Sequence, residues 1–275
     1  MADRARRRRR WRWLGWTAAL LLLTHGVLIL LHVPIARPFD LLLNLGPVVE
    51  EPALRAPADG RRRVVVLVHG MFRTSASLWR LARTLRAHGY EVVAFDYWSN
   101  AAPIEAHAAA LHDAVEDLWR SGPVDELSFV AHSMGGVVTE EYLRREDARV
   151  PVRCVYLGVP HRGAVLADLR KHWFLFRWAM GETAALQLSP GDPMVQQPIP
   201  TPCPVGTIVG DLGEGNRSIP GHDDGTVGVA EATFAGATDS VVVPLGHTSL
   251  TFGDQSLRLV LAFLRHGSFG GDGNR

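Results

Sequence analysis

Two sequence patterns alternate along the chain from residue 61 onward. Short apolar runs rich in β-branched residues, each bounded by glycine, proline or polar residues, indicate buried strands at 64–68, 91–95, 127–131, 153–158, 205–210 and 240–245. Leucine and alanine at three- and four-residue spacing indicate helices at 77–88, 104–120, 136–145 and 257–265. Strand and helix alternation predicts an α/β fold, with a mostly parallel open sheet of about six strands and helices on both faces.

The first 33 residues differ sharply from this pattern. Seven arginines occupy positions 4, 6–10 and 12, and residues 14–33 then contain no Asp, Glu, Lys or Arg. Twenty helical residues span about 30 Å, the hydrocarbon thickness of a bilayer, and Trp11, Trp13 and Trp16 suit its interface. Residues 14–33 are therefore predicted to form one transmembrane helix, an uncleaved signal anchor, because no convincing cleavage site follows.

The arginines define the predicted orientation of this anchor. The positive-inside rule places residues 1–13 in the cytoplasm and the rest of the chain on the extracytoplasmic side, which is periplasmic in a bacterium. Residues 34–60 contain several prolines and are predicted to be a connector, followed by one folded domain over 61–267. Because the arginines adjoin an apolar segment, a membrane is favoured over nucleic acid as their partner.

Composition agrees with one packed domain: 47% of the 275 residues are hydrophobic and 21% are charged. Cys154 and Cys203 lack the C-x-x-C spacing of zinc or redox sites, so we expect both to be buried apolar residues. The sequence contains no P-loop, dinucleotide fingerprint or metal-ligand cluster, and we expect no cofactor.

Residues 131–136 read AHSMGG and lie between a predicted strand and a predicted helix. This is the context of a nucleophile elbow, in which a serine occupies a sharp turn and the residues two positions before and after it are small, here Ala131 and Gly135. The alternative is that Ser133 is simply the N-cap of the helix. A serine nucleophile needs a base, and histidine is the side chain that titrates near neutral pH.

On these residues the chain, over about 63–265, resembles the α/β-hydrolase superfamily, in particular bacterial lipases and esterases of the triacylglycerol lipase-like branch. The resemblance implies that Ser133 is the nucleophile and that the loop after His69-Gly70 carries one oxyanion donor, the N–H of Met71. The N–H of Met134, at the start of the helix, is the expected second donor.

The superfamily order of serine, acid and histidine implies that His247 is the base, since it directly follows the last predicted strand. His161 and His222 are the other candidates. The D-G-x-V form known from the resembling lipases implies that Asp224 is the triad acid. Asp211 is the second choice, because it follows the strand at 205–210, and Asp223 is the third.

Residues 164–200 separate two strands by more than a usual loop and form a predicted cap-like insertion. Its aromatic cluster contains Trp173, Phe174, Phe176 and Trp178, which suits a hydrophobic acyl substrate, although the same side chains could merely pack the cap. We therefore expect a membrane-anchored esterase or lipase that acts through an acyl-serine intermediate. The alternatives are an acyltransferase using the same intermediate and a non-catalytic membrane-bound binding protein with this fold.

Overall fold

The computed structural model describes residues 36–170 and 184–270. Its centre is a parallel sheet in the order β2-β1-β3-β4-β5-β6. The strands are β1 Arg63–Val68, β2 Glu91–Phe95, β3 Glu126–His132, β4 Arg153–Leu157, β5 Val205–Gly210 and β6 Asp239–Val243. Each strand agrees with its predicted range to within two residues at either end, so the predicted α/β architecture is confirmed.

The α-helices in the described residues follow the same alternation. They are α1 Ala36–Leu43, α2 Trp79–Ala87, α3 Ile104–Arg120, α4 Met134–Leu143, α5 Val165–Arg170, α6 Ala184–Gln187, α7 Pro193–Gln196, α8 Val229–Ala232 and α9 Asp254–His266. Short 3₁₀ turns cover Pro52–Leu54, Ser75–Leu78 and His247–Thr251. Helix α4 begins at Met134, two residues before its predicted start.

Side chains of β1 alternate between two apolar clusters, one on each face of the sheet. Val64, Val66 and Val68 pack with side chains of α3 and α4. Val65 and Leu67 pack with side chains of α2 and α9. The prediction of helices on both faces is therefore confirmed, and the period-two exchange of faces explains why the strand reads as a continuous apolar run.

Part of the predicted connector at 34–60 is packed on the domain in the structure. Helix α1 lies within it, and the buried Asp40 carboxylate of this helix accepts hydrogen bonds from Arg73 Nη1 at 2.8 Å and from Thr74 N at 3.0 Å. Asn44 extends this contact by accepting a hydrogen bond from Arg80 N. Helix α1 is thus held on the domain by polar contacts. The apolar periodicity used to predict the other helices therefore did not indicate this helix.

Two other predicted segments fall wholly or partly outside the described residues. The anchor at 14–33 lies outside them, and no helix within 36–170 or 184–270 is long and apolar enough to cross a bilayer. Within the cap-like insertion at 164–200, the aromatic cluster at 173–178 also lies outside. The described residues of the insertion include α5, α6 and α7.

Candidate active site

Ser133 occupies the turn between β3 and α4. Its φ of 54° and ψ of −133° are unusual for a residue with a side chain, which is the strained backbone expected of a nucleophile elbow. Its N–H donates to Leu157 O at 3.0 Å, which ties the turn to β4. A Cβ on Gly135 would lie 2.4 Å from His69 O and 2.6 Å from Val68 O, so the loop after β1 leaves room for glycine alone.

A continuous chain of hydrogen bonds joins Ser133, His247 and Asp224. His247 Nε2 lies 2.9 Å from Ser133 Oγ, and His247 Nδ1 lies 2.6 Å from Asp224 Oδ2. The Asp224 side chain is 1% exposed, and its other oxygen accepts from Thr226 N at 2.9 Å and Val227 N at 2.7 Å. Every oxygen of the buried carboxylate is therefore partnered, and its position relative to the imidazole is fixed.

The other two aspartates considered as the acid lie elsewhere. Asp211 contacts His222 Nδ1 at 2.9 Å on the surface, and this hydrogen bond lowers the pKa of Asp211 and raises that of His222. Asp223 is buried and accepts hydrogen bonds from backbone N–H groups of its own loop. The structure therefore brings Asp224, and neither neighbour, to His247.

His161, like His222 an alternative candidate for the base, belongs to a separate buried pair. Its Nδ1 lies 2.5 Å from Glu140 Oε1, and both side chains are at most 1% exposed. Its ring contacts Tyr156 and Phe234. This pair connects the loop after β4 to α4, the helix that begins directly after Ser133.

Both predicted oxyanion donors lie near Ser133: Met134 directly follows it in the chain, and Met71 is near it in space. Met71 lines the same pocket as Ser133. Met134 is the first residue of α4, where backbone N–H groups lack partners within the helix. A Cβ on Gly70 would lie 2.9 Å from Ser133 Cβ, so this glycine permits the close approach of the loop to the elbow.

Hydrogen bonds fix the loop that carries Met71. The Tyr97 hydroxyl donates to His69 O at 2.7 Å, and Phe72, whose φ is 55°, donates its N–H to Ser99 Oγ at 2.8 Å. Asp96 lies 3.4 Å from His69 Nε2, and this interaction lowers the pKa of Asp96 to about 2. The loop is thereby held against the segment that directly follows β2, and its backbone is preorganised beside the serine.

A cavity of about 260 Å³ opens over Ser133 and His247. Its apolar wall comes from the cap-like insertion and includes Ala164, Leu166 and Leu188. The position of these side chains over the serine agrees with a pocket for an apolar group. Among the described residues, no group of three His, Cys, Asp or Glu side chains is placed to hold a metal ion.

Two residues of the site were not identified from sequence. Arg73 lines the pocket, where its Nη2 donates to Thr248 Oγ1 at 2.8 Å and its Nη1 contacts Asp40. His132 packs against the ring of His247 at 4.6 Å, and its Nε2 lies 3.0 Å from the backbone oxygen of that residue. Asp40 precedes Arg73 by 33 residues and Thr248 follows it by 175, so no local spacing could have indicated these contacts.

Comparisons with known proteins agree with this architecture. Residues 59–182 match a family of hydrolases described as serine aminopeptidase, S33. A search of curated protein sequences gave no significant match. The mature lipase BlEst2 of Bacillus licheniformis superposes with a TM-score of 0.63 at 22% identity, covering 80% of this chain and 96% of the lipase.

Two further solved structures have the same fold. The metagenomic carboxyl esterase MGS0156 has a TM-score of 0.60 at 17% identity, covering 81% of this chain and 80% of the esterase. The phospholipase PlaB of Legionella pneumophila has a TM-score of 0.56 at 15% identity, covering 75% of this chain and 60% of the phospholipase. The chain is therefore an α/β-hydrolase-fold protein, similar in architecture to bacterial lipases and esterases.

Proposed function

We propose that this protein is a membrane-anchored serine hydrolase that cleaves carboxylic esters with apolar acyl groups through an acyl-serine intermediate. The observation that carries the proposal is the hydrogen-bonded chain from Ser133 Oγ through His247 to the buried Asp224 carboxylate. Fold alone does not give function. A nucleophile, a base and an acid that are hydrogen-bonded in this order are, however, the arrangement that activates a serine.

The proposed reaction has two halves. In the first, Ser133 Oγ attacks the ester carbonyl carbon while its proton passes to His247 Nε2, and Asp224 stabilises the imidazolium that forms. The N–H groups of Met71 and Met134 would hold the developing oxyanion, and His247 then gives the proton to the departing alcohol. In the second half, water attacks the acyl-serine by the same route and releases the acid.

The lining of the pocket supports an apolar acyl group as the part of the substrate that is recognised. The apolar wall of the pocket includes Ala164, Leu166, Ala167, Ala185 and Leu188, which line the same cavity as the serine. A wall of this kind stabilises a hydrocarbon chain through burial of its surface, by about 25 cal/mol per Å². The fold neighbours include a lipase, a carboxyl esterase and a phospholipase, and ester hydrolysis is the chemistry that these names share.

The membrane anchor is part of the proposal on the strength of the sequence. The twenty residues at 14–33, which contain no Asp, Glu, Lys or Arg, follow a run of arginines and are joined to the domain by residues 34–60. In this arrangement the domain would work on the extracytoplasmic side, close to lipid substrates. Protease accessibility in sealed membrane vesicles tests the orientation, because a domain on the cytoplasmic side would contradict it.

Covalent labelling tests the proposed nucleophile. The full-length protein is incubated with a fluorophosphonate probe, and the modified peptide is identified by mass spectrometry, beside the Ser133→Ala and Ser128→Ala variants. Ser128 is a buried serine of β3, the strand that ends directly before Ser133, and serves as the matched control. We expect label on Ser133 in the parent and in Ser128→Ala, and none in Ser133→Ala. An unlabelled, folded parent would refute the proposal.

A further inference from the structure

The two cysteines of the chain lie side by side, although they are 49 positions apart in sequence. Their sulfur atoms are 3.7 Å apart. Cys154 is the second residue of β4 and is completely buried, whereas Cys203 lies two residues before β5 and is partly exposed. The expectation that both are buried is therefore confirmed for Cys154 and wrong for Cys203, which remains partly exposed because it lies outside the strand.

The backbone segments that carry the two cysteines are hydrogen-bonded to each other. Cys154 N donates to Pro204 O at 3.0 Å, and Cys154 pairs with Val205 in the parallel register of β4 and β5. A disulfide has an S–S distance of about 2.05 Å, so the sulfur atoms must approach by roughly 1.7 Å. Rotation of two neighbouring side chains supplies a movement of this size, and the strands need not separate.

We propose that Cys154 and Cys203 form a disulfide that joins the two ends of the crossover between β4 and β5. This crossover carries the cap-like insertion and therefore the apolar wall of the pocket. Residues 155–202 would become a closed loop whose ends cannot move apart. A cross-link over a loop of this length stabilises a fold mainly by restricting the unfolded chain.

The required oxidant is a small-molecule or protein disulfide. The Cys203 thiolate attacks one sulfur of that disulfide and expels the other as a thiolate, which leaves a mixed disulfide on Cys203. The Cys154 thiolate then attacks the Cys203 sulfur and expels the second thiol. The two cysteines lose two protons and two electrons in total, and the oxidant gains the two electrons.

The environments of the two thiols favour this order of attack. The contact with Cys154 lowers the pKa of the Cys203 thiol, and Cys203 is also the partly exposed partner that an oxidant can reach. The contact with Cys203 and complete burial raise the pKa of Cys154. Cys154 is thus reached only through its neighbour. An extracytoplasmic location, which the proposed function includes, is where such bonds form and persist.

Mass spectrometry and thermal unfolding of the full-length protein test the disulfide. The protein is incubated with glutathione disulfide or with dithiothreitol, alkylated, digested and analysed without reduction. We expect the oxidised sample to contain one linked peptide joining Cys154 to Cys203, lighter by two hydrogen atoms than the sum of its parts. We also expect its melting temperature to lie several degrees above that of the reduced sample.

Two variants make the result specific. Cys203→Ser changes the partly exposed partner, so it should fold and show no difference between oxidised and reduced samples. Ser133→Ala should behave like the parent, so the outcome does not depend on the proposed hydrolase activity. Alkylation of both cysteines after oxidation, or glutathione retained on Cys203, would overturn the proposal.

Discussion

His247 and Asp224 are joined by two hydrogen bonds. One connects the side chains, with 2.6 Å between His247 Nδ1 and Asp224 Oδ2, and the other connects the backbones, with 2.9 Å from His247 N to Asp224 O. The loop after β5 and the turn after β6 therefore form a single unit. A change in the carboxylate can remove its charge without releasing the histidine from this loop.

The first prediction concerns the acid. Asp224→Asn retains the backbone hydrogen bond but loses the charge that stabilises protonated His247. We expect kcat for ester hydrolysis to fall by about four orders of magnitude, as in a related triad. Asp211→Asn is the matched control, because Asp211 contacts His222 at the surface, and we expect it to retain nearly the parental rate. Comparable losses in both variants would contradict the assignment of Asp224.

The second prediction concerns the elbow. In Gly135→Ala the new Cβ would meet two backbone oxygens, His69 O at 2.4 Å and Val68 O at 2.6 Å, which a rotamer change cannot avoid. We expect the free energy of unfolding in urea to fall by about 2 kcal/mol or more. Gly191→Ala, where a Cβ has no heavy atom within 4 Å, should change it by less than about 1 kcal/mol. Equal stability of the two variants would contradict this account.

The third prediction concerns the buried pair of Glu140 and His161. Glu140→Ala removes the partner of a ring that is inaccessible to water, which leaves its Nδ1 unpaired. We expect the free energy of unfolding to fall by about 2 kcal/mol, the cost of a buried polar group without its partner. Glu116→Ala, which breaks a surface ion pair with Arg149, should lower the free energy of unfolding much less, because water screens this pair. Denaturant titration of both variants measures the difference, and similar losses would show that the pair is unimportant.

The fourth prediction concerns pH. Burial, followed by the neighbouring His247, lowers the pKa of His132 well below its ordinary value of about 6.5. The unfolded chain therefore binds a proton that the folded protein does not, and stability is fully present above about pH 6.5 and declines as pH falls below it. This residue contributes at most about 1.4 kcal/mol per pH unit.

Unfolding in urea at pH 7.0 and 5.5 measures this effect. The matched variant is His132→Gln, which has no titrating group at this position. We expect the parent to lose more stability than the variant between the two pH values. An identical loss in both proteins would show that His132 does not take up the proton.

Local pattern predicted much of the fold. The run at 64–68 is apolar on both faces because both faces of β1 are covered, so its type and length could be identified without tertiary information. The elbow could be predicted for a similar reason. Ala131 and Gly135 are small residues on either side of Ser133, and little space is available there, as the contacts of a Cβ on Gly135 show.

Contacts between distant segments could not be predicted in this way. Asp40 is buried against Arg73, and Glu140 against His161, yet an aspartate or a glutamate taken alone indicates an exposed position. The proximity of Cys154 and Cys203 depends on the register of β4 and β5, which the sequence does not display. Contacts of this kind form only when the strands and helices that carry the two side chains have been brought together by the fold.

Turnover of p-nitrophenyl esters tests the central claim most directly. Esters of increasing acyl chain length are supplied to the full-length protein in detergent. The Ser133→Ala variant is assayed in parallel, after its melting temperature has been shown to equal that of the parent. We predict that the parent releases p-nitrophenol, with a preference for chains long enough to contact the apolar wall, and that the variant stays at the background rate. Turnover by Ser133→Ala equal to that of the parent would contradict the account.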